Sequence, residues 1–443
     1  MKKIILLLIL INLAFSQDTP LGRSLIIYKD NFAVIKEPIA LNLNSGKNFL
    51  SFNNISKNII YDSPFLNIDG ASVLSQTLNK NFSSTDAFLK NNIGSVVEVV
   101  PLNSGRLEGV LLDINGSTIS LETNKGLVVF QRSQLISFNL KSINTLNKFS
   151  PEINWEIFSD TKKNLNGELS YISSGFSWQP IYYLTINGND NKASLYIVAE
   201  ISNNSNVNFF GIDLNVVEGS VPLNSSKNIS SNQPMNVKSK MASNNLKLGD
   251  FYIYDIGKNI KLDAMQTIQL PLINKRDIGF DKKYVFTNSE RDQGDEPLSI
   301  EVSFENTIDN NLEIPLPSGV LYLYEKNEIN SINFIGKNSI NQLYKGGTAI
   351  LDGGKAFEII GKRRILNFDR QTKSEESTIS LQILNTSNDS IKVKVVEKIF
   401  GDWVIKESST MYIKEDASTI YFPLEIEPGQ SELITYTYKK EWK

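Results

Sequence analysis

The 443-residue sequence contains no cysteine and no histidine. Without cysteine there is no disulfide, no thiol nucleophile, no thiolate zinc or iron–sulfur site and no cysteine for a lipid anchor. Without histidine the Ser-His-Asp triad, the HExxH metalloproteases and most catalytic zinc sites are excluded. Carboxylates, lysine, tyrosine, serine, threonine and arginine remain, with calcium or magnesium as the ions that oxygen ligands hold. No cofactor is expected. A dominant charge is also missing: 45 basic residues face 48 acidic ones, a net −3. Such mild acidity gives no electrostatic ground for nucleic-acid binding.

Long apolar runs are scarce too. The run from Ile4 to Phe15, broken only by Asn12, follows Met1-Lys2-Lys3 and precedes Ala14-Phe15-Ser16. This is the three-part layout of a secretory signal peptide, and the run is too short for a comfortable membrane span. Residues 1–16 are therefore expected to be removed by cleavage between Ser16 and Gln17. The mature chain, at −5 without Lys2 and Lys3, is expected to be exported, periplasmic or extracellular, with no transmembrane span.

What is present is β-strand patterning. At 167–220 three runs alternate with period two: Tyr182, Leu184 and Ile186; then Leu195, Ile197, Ala199 and Ile201; then Ile212, Leu214 and Val216. Asn187-Gly188-Asn189-Asp190 and Asn203-Asn204-Ser205-Asn206 supply the turns. Residues 17–82 read as an N-terminal β region that includes a hairpin turning at Asp30-Asn31. Residues 83–142 read as a short helix leading into five tightly turned strands, an arrangement that resembles the small Sm-like barrel. Its Gln131-Arg132-Ser133-Gln134 turn has one basic residue and no glycine, which argues against RNA as its partner.

A central β-domain at 150–296 follows, with a polar loop near 224–245. The charged patch Glu290-Arg291-Asp292-Gln293-Gly294-Asp295-Glu296 marks a domain boundary, and 297–443 reads as a C-terminal immunoglobulin-like β-sandwich region. The fold class is all-β and multi-module: sandwiches with an inserted small barrel.

Several runs are ordered along nearly the whole chain: LIIYKDNFAVIKE, IGSVVEV, LSYISSGFSWQPIYYLTIN, ISNNSNVNFFGIDLNVVEGS, FENTIDNNLEIPLPSGVLYLYE, LDGGKAFEIIGKRR, GDWVIKESS and FPLEIEPGQSELITYTY. Through them the chain resembles the bacterial exported family catalogued as domain of unknown function 4139. The most specific are the run Ser174 to Trp178 and the PLPSG run Pro315 to Gly319. The resemblance implies an exported β-rich protein with no agreed catalytic residues. Relatives labelled mucoidy-inhibitor-like carry an N-terminal coiled-coil segment, and here the small barrel stands in its place.

Trp178 and Tyr182, with Tyr183 beside them, are candidates for a ligand platform, since aromatic faces stack on the apolar faces of sugars. The competing and favoured reading places them in a sandwich core. Tyr182 and Tyr183 must face opposite ways in a half-buried strand, so at most one joins Trp178. The acidic patch at 290–296 lacks the spacing of a calcium loop and reads as a solvated linker. Lys362-Arg363-Arg364 reads as a charged edge strand. The expected function is a non-catalytic envelope or extracellular protein binding another protein or a polysaccharide. The alternative is a glycoside hydrolase using paired carboxylates, for which Glu168, Glu200 and Glu218 carry no distinguishing local signal.

Overall fold

Alternation of apolar and polar residues organises nearly all of the chain into strands. The computed structural model describes residues 22–79, 85–90, 92–141, 151–187, 191–219, 221, 246–248, 251–327, 329 and 331–442. Among them are 29 strands, one short α-helix, Thr85–Lys90, and one 3-10 turn, Arg132–Gln134. The fold is all-β and multi-module. The expected cleavage junction at Ser16 and Gln17 and the polar loop near 224–245 lie outside the described residues.

The chain divides into two compact units. One takes the described residues up to Trp178 together with Ile201–Ile268; the other takes Gln179–Glu200 and the described residues from Gln269 onward.

In the first unit a seven-stranded sheet runs in the order Leu246–Leu248, Phe251–Leu262, Phe209–Glu218, Ser24–Tyr28, Phe32–Leu43, Lys163–Ser174, Phe65–Ile68. The 17–82 stretch therefore has no sheet of its own. Ser24–Tyr28 pairs in parallel with Phe209–Glu218, and Gly46–Phe52 and Ser72–Asn79 flank Glu152–Ser159. Long-range pairing of this kind leaves no local mark in the sequence. Asn31 takes a φ of 62° in the hairpin turn, a backbone state that asparagine tolerates well. The 83–142 stretch is a separate curled sheet. The helix leads in, and the last strand, Leu135–Leu140, pairs beside the first, Val96–Pro101. Val97, Val99, Leu111, Ile114, Ile119 and Leu121 fill its interior, with Leu89 of the helix against them.

In the second unit a five-stranded sheet runs Gln266–Gly279, Lys192–Asn203, Phe176–Asn187, Gly319–Lys326, Ile332–Ile340. The third patterned run of 167–220, Phe209–Glu218, thus joins a different sheet from the first two. A nine-stranded sheet contains Asp281–Ser289, Gly294–Glu305, Thr348–Arg370, Ser374–Asn385, Ile391–Lys398, Thr419–Ile426 and Ser431–Glu441, with two short flanking strands. It folds over one core, so that Phe422 meets Tyr436 with ring centroids 5.6 Å apart. The charged patch expected as a boundary linker is the turn between Asp281–Ser289 and Gly294–Glu305 inside this sheet. Lys362-Arg363-Arg364 lies in an interior strand, paired on both sides, rather than on an edge.

Asn203, Asn306 and Asn385 are completely buried, and each amide donates to a main-chain oxygen of its own turn and to one of a distant segment. These bonds satisfy polar backbone that a buried turn would otherwise leave unpaired.

Candidate binding surface

In the strand Phe176–Asn187, Trp178, Tyr182, Leu184 and Ile186 point inward, while Gln179, Tyr183 and Thr185 point outward. The two residues weighed as a ligand platform are therefore both buried. Trp178 is 3% exposed; its Nε1–H donates to the Val217 carbonyl at 2.9 Å, and Tyr254 packs on the ring at 6.1 Å. Tyr182 is fully buried in a different core, and its hydroxyl donates to the Pro317 carbonyl. Gly175, at φ +89°, makes the bend that starts this strand.

The outward tyrosine is the one that gathers partners. Tyr183 stacks on Tyr196 of the next strand, with centroids 6.2 Å apart and planes at 26°. On its other side it stacks on Tyr322, 5.8 Å away at 18°. Tyr322 meets Phe334 at 6.4 Å, and Phe334 meets Tyr324 at 5.7 Å. The register requires this: Tyr183 pairs directly with Tyr322 across a parallel ladder, and Tyr324 with Phe334 across an antiparallel one. Five rings from four adjacent strands thus cover the outer face of one sheet. Near-parallel rings about 6 Å apart are offset, because superposed carbon faces would stand about 3.5–4.0 Å apart. Tyr196 and Phe334 are exposed, and Tyr183, Tyr322 and Tyr324 are half-buried.

Polar groups frame the rings. Glu200 accepts from Gln179 Nε2 at 2.6 Å and from Gln269 Nε2 at 2.9 Å. Lys337 Nζ lies 5.5 Å from the centre of the Tyr322 ring, a cation–π contact. Burial pushes the Tyr183 phenol up from its ordinary value, and the neighbouring Tyr324, Tyr322, Glu200 and Tyr196 add to the shift. Cross-strand aromatic pairs stabilise a sheet by roughly 0.2–1 kcal/mol each, wherever they sit. That role does not require exposure, yet Phe334 is 58% and Tyr196 37% exposed. Exposed apolar surface of this kind, rimmed by polar groups, marks interaction sites.

The rings were accessible to sequence reasoning. Tyr196 stands between Leu195 and Ile197, and Tyr322 and Tyr324 alternate with Leu321 and Leu323, so all three occupy the outward phase. The missing information was which strands become neighbours.

The other charged candidates are internally matched. Glu168 faces Lys36 at 3.4 Å, and Glu218 meets Lys29 at 2.5 Å. A buried ionic cluster lies in the nine-stranded sheet. Arg363, 1% exposed, donates Nε to both oxygens of the fully buried Glu397 at 3.1 Å and Nη2 to Oε2 at 2.8 Å. The Tyr436 hydroxyl donates to the same carboxylate at 2.5 Å. Burial pushes Glu397 up, opposed by its bonds from Arg363 and Tyr436; burial also raises Tyr436, and the adjacent Glu397 adds to it. The remaining Arg363 donor Nη1 reaches the Asp292 carbonyl, which fastens the charged turn. In that turn Glu290 takes Lys440 at 2.5 Å and the Phe400 N–H at 2.7 Å. The residues from Arg291 to Glu296 are exposed, as expected of a solvated stretch, but the turn is pinned between two paired strands and is not a linker.

Among the described residues no group of three or more acidic side chains is placed to hold a metal ion, and no helix is long and apolar enough to cross a membrane. Arg132, the one basic residue of the small-barrel turn, pairs with Asp86 at 2.6 Å. No family model and no curated protein matches the chain.

Proposed function

We propose that the chain is an exported, non-catalytic binding protein of the cell envelope or its surroundings, and that the aromatic outer face of the five-stranded sheet is its binding surface. The ladder Tyr196–Tyr183–Tyr322–Phe334–Tyr324 carries this reading, because it places rigid amphipathic rings in solvent where stability alone does not require them. Export is supported by the Lys-Lys start, the apolar run and Ala14-Phe15-Ser16. Membership of the bacterial family catalogued as domain of unknown function 4139 is part of the proposal, supported by the order of its motifs along the chain. Against the glycoside-hydrolase alternative, the three glutamates weighed for it are each held by a Lys or Gln partner.

Site-specific photo-crosslinking in cells expressing the full chain tests the surface. A crosslinker at Tyr196 or Phe334 is expected to give adducts that the same group at Tyr344, 73% exposed and away from the ladder, does not give. Equal adduct yields at all three positions would overturn the assignment.

A further inference from the structure

Taking the outer aromatic face as the binding surface, we infer that its ligand is an uncharged glycan lying across the strands, along Tyr196, Tyr183, Tyr322 and Phe334. The first argument is chemical. Tyrosines interleaved with glutamine amides offer many hydrogen-bonding groups on an apolar base, the combination that a polyhydroxylated sugar ring demands. Hydroxyls of Tyr183, Tyr196, Tyr322 and Tyr324 each donate and accept, and Gln179 and Gln269 retain N–H and carbonyl capacity beyond their bonds to Glu200.

The second argument is electrostatic. The carboxylate beside the rings, Glu200, is held by two neutral amide donors, and the Lys337 ammonium lies over the Tyr322 ring. The two charges are single and of opposite sign, not the cluster of one sign that recognition of an acidic polymer or a charged peptide would require. The third argument is geometric. The rings recur at 5.8 to 6.4 Å from strand to strand, the scale of one pyranose ring, so successive sugars meet successive aromatics. The row has an exposed ring at each end, Tyr196 and Phe334. A protein partner would be expected to meet a wider apolar centre with a charged rim.

Affinity electrophoresis of the full chain tests the inference, with hydroxyethyl cellulose, laminarin, yeast mannan or glycogen cast in the gel and alginate as the charged comparison. At least one neutral polymer is expected to retard the protein, and alginate is not. The double substitution Tyr196→Ala with Phe334→Ala removes two exposed rings and leaves the cores intact. It is expected to weaken retardation by at least about tenfold, while the melting temperature stays within a few degrees. Tyr183→Phe keeps the stacking and removes one hydroxyl, so it is expected to lie between wild type and the double variant.

Retardation by none of the neutral polymers overturns the glycan assignment, as does retardation by alginate alone or retardation unchanged in the double variant. Protein adducts at Tyr196 without any glycan retardation would leave the surface standing and remove the glycan. Neither adducts nor retardation would remove both.

Discussion

The hydroxyl of Tyr182 donates to the main-chain oxygen of Pro317, joining the strand Phe176–Asn187 to the Pro315–Gly319 run. Gly319 then packs so closely on the Pro180 carbonyl that no side chain fits there. A hydrogen bond and a missing Cβ thus fasten the PLPSG run to Pro180 and Tyr182.

Tyr182→Phe keeps the ring and leaves the Pro317 carbonyl without its donor. The expected cost is about 1–3 kcal/mol of stability, read by chemical denaturation. A change under about 0.5 kcal/mol, the range of ordinary surface substitutions, would mean that the bond contributes nothing.

Trp178→Ala empties a buried aromatic site and strands the Val217 carbonyl. The expected loss is about 3–5 kcal/mol. In the wild-type protein the Trp178 indole should also resist aqueous quenchers, which comparing quenching of wild type and Trp178→Phe will reveal.

Glu397→Ala leaves the Arg363 guanidinium buried beside a cavity, and an expected loss of about 3–5 kcal/mol follows. Replacing both partners by apolar residues, Arg363→Met with Glu397→Leu, is expected to cost less than the single change. A double variant no more stable than Glu397→Ala would show that Arg363 acts mainly by fastening the 289–294 turn through the Asp292 carbonyl.

Burial raises the phenols of Tyr436, Tyr438 and Tyr171 above the ordinary value of 10.0. In the unfolded chain these groups lose their protons near pH 10, while the folded chain retains them. The folded state therefore binds more protons in alkali. The stability these tyrosines contribute is complete below about pH 10 and is lost as pH rises through their raised values. Denaturant midpoints should fall above about pH 10, with phenolate absorbance lagging that of the unfolded protein. Tyrosines that all titrate together near pH 10 at constant stability would contradict the burial.

Secretion should remove residues 1–16. Mass spectrometry of exported protein is expected to show a chain starting at Gln17, and an intact Met1 on it would contradict the signal-peptide reading.

The sequence made the strands legible because burial on one face leaves a period-two trace, as in Ile379, Leu381 and Ile383, all fully buried. The helix-led five-strand module was legible for a different reason: its pairings are local and its turns short. Pairings such as Ser24–Tyr28 with Phe209–Glu218 were not, since a parallel ladder between distant segments leaves no local signal. The same blindness affected the candidate site. The outward phase of Tyr183, Tyr196 and Tyr322 could be read from each strand separately, but their stacking depends on strand order. Arg363 was misread because a run of three basic residues resembles a solvated edge. Glu397, with Val395 before it and Ile399 after it in the same phase, was the hint that a charge is buried in this sheet.

The 23-residue strand Thr348–Arg370 contributes Ala349 and Leu351 to the core beneath the aromatic face, and Ala356 and Ile359 to the C-terminal core. It is hydrogen-bonded to Gly294–Glu305 and to Ser374–Asn385. Between the two sets of core residues its pairing with Gly294–Glu305 shifts register, and Gly353-Gly354 lies there with Gly354 at φ +87°. The two cores thus share one backbone, and the glycine pair is the place where that backbone can bend between them.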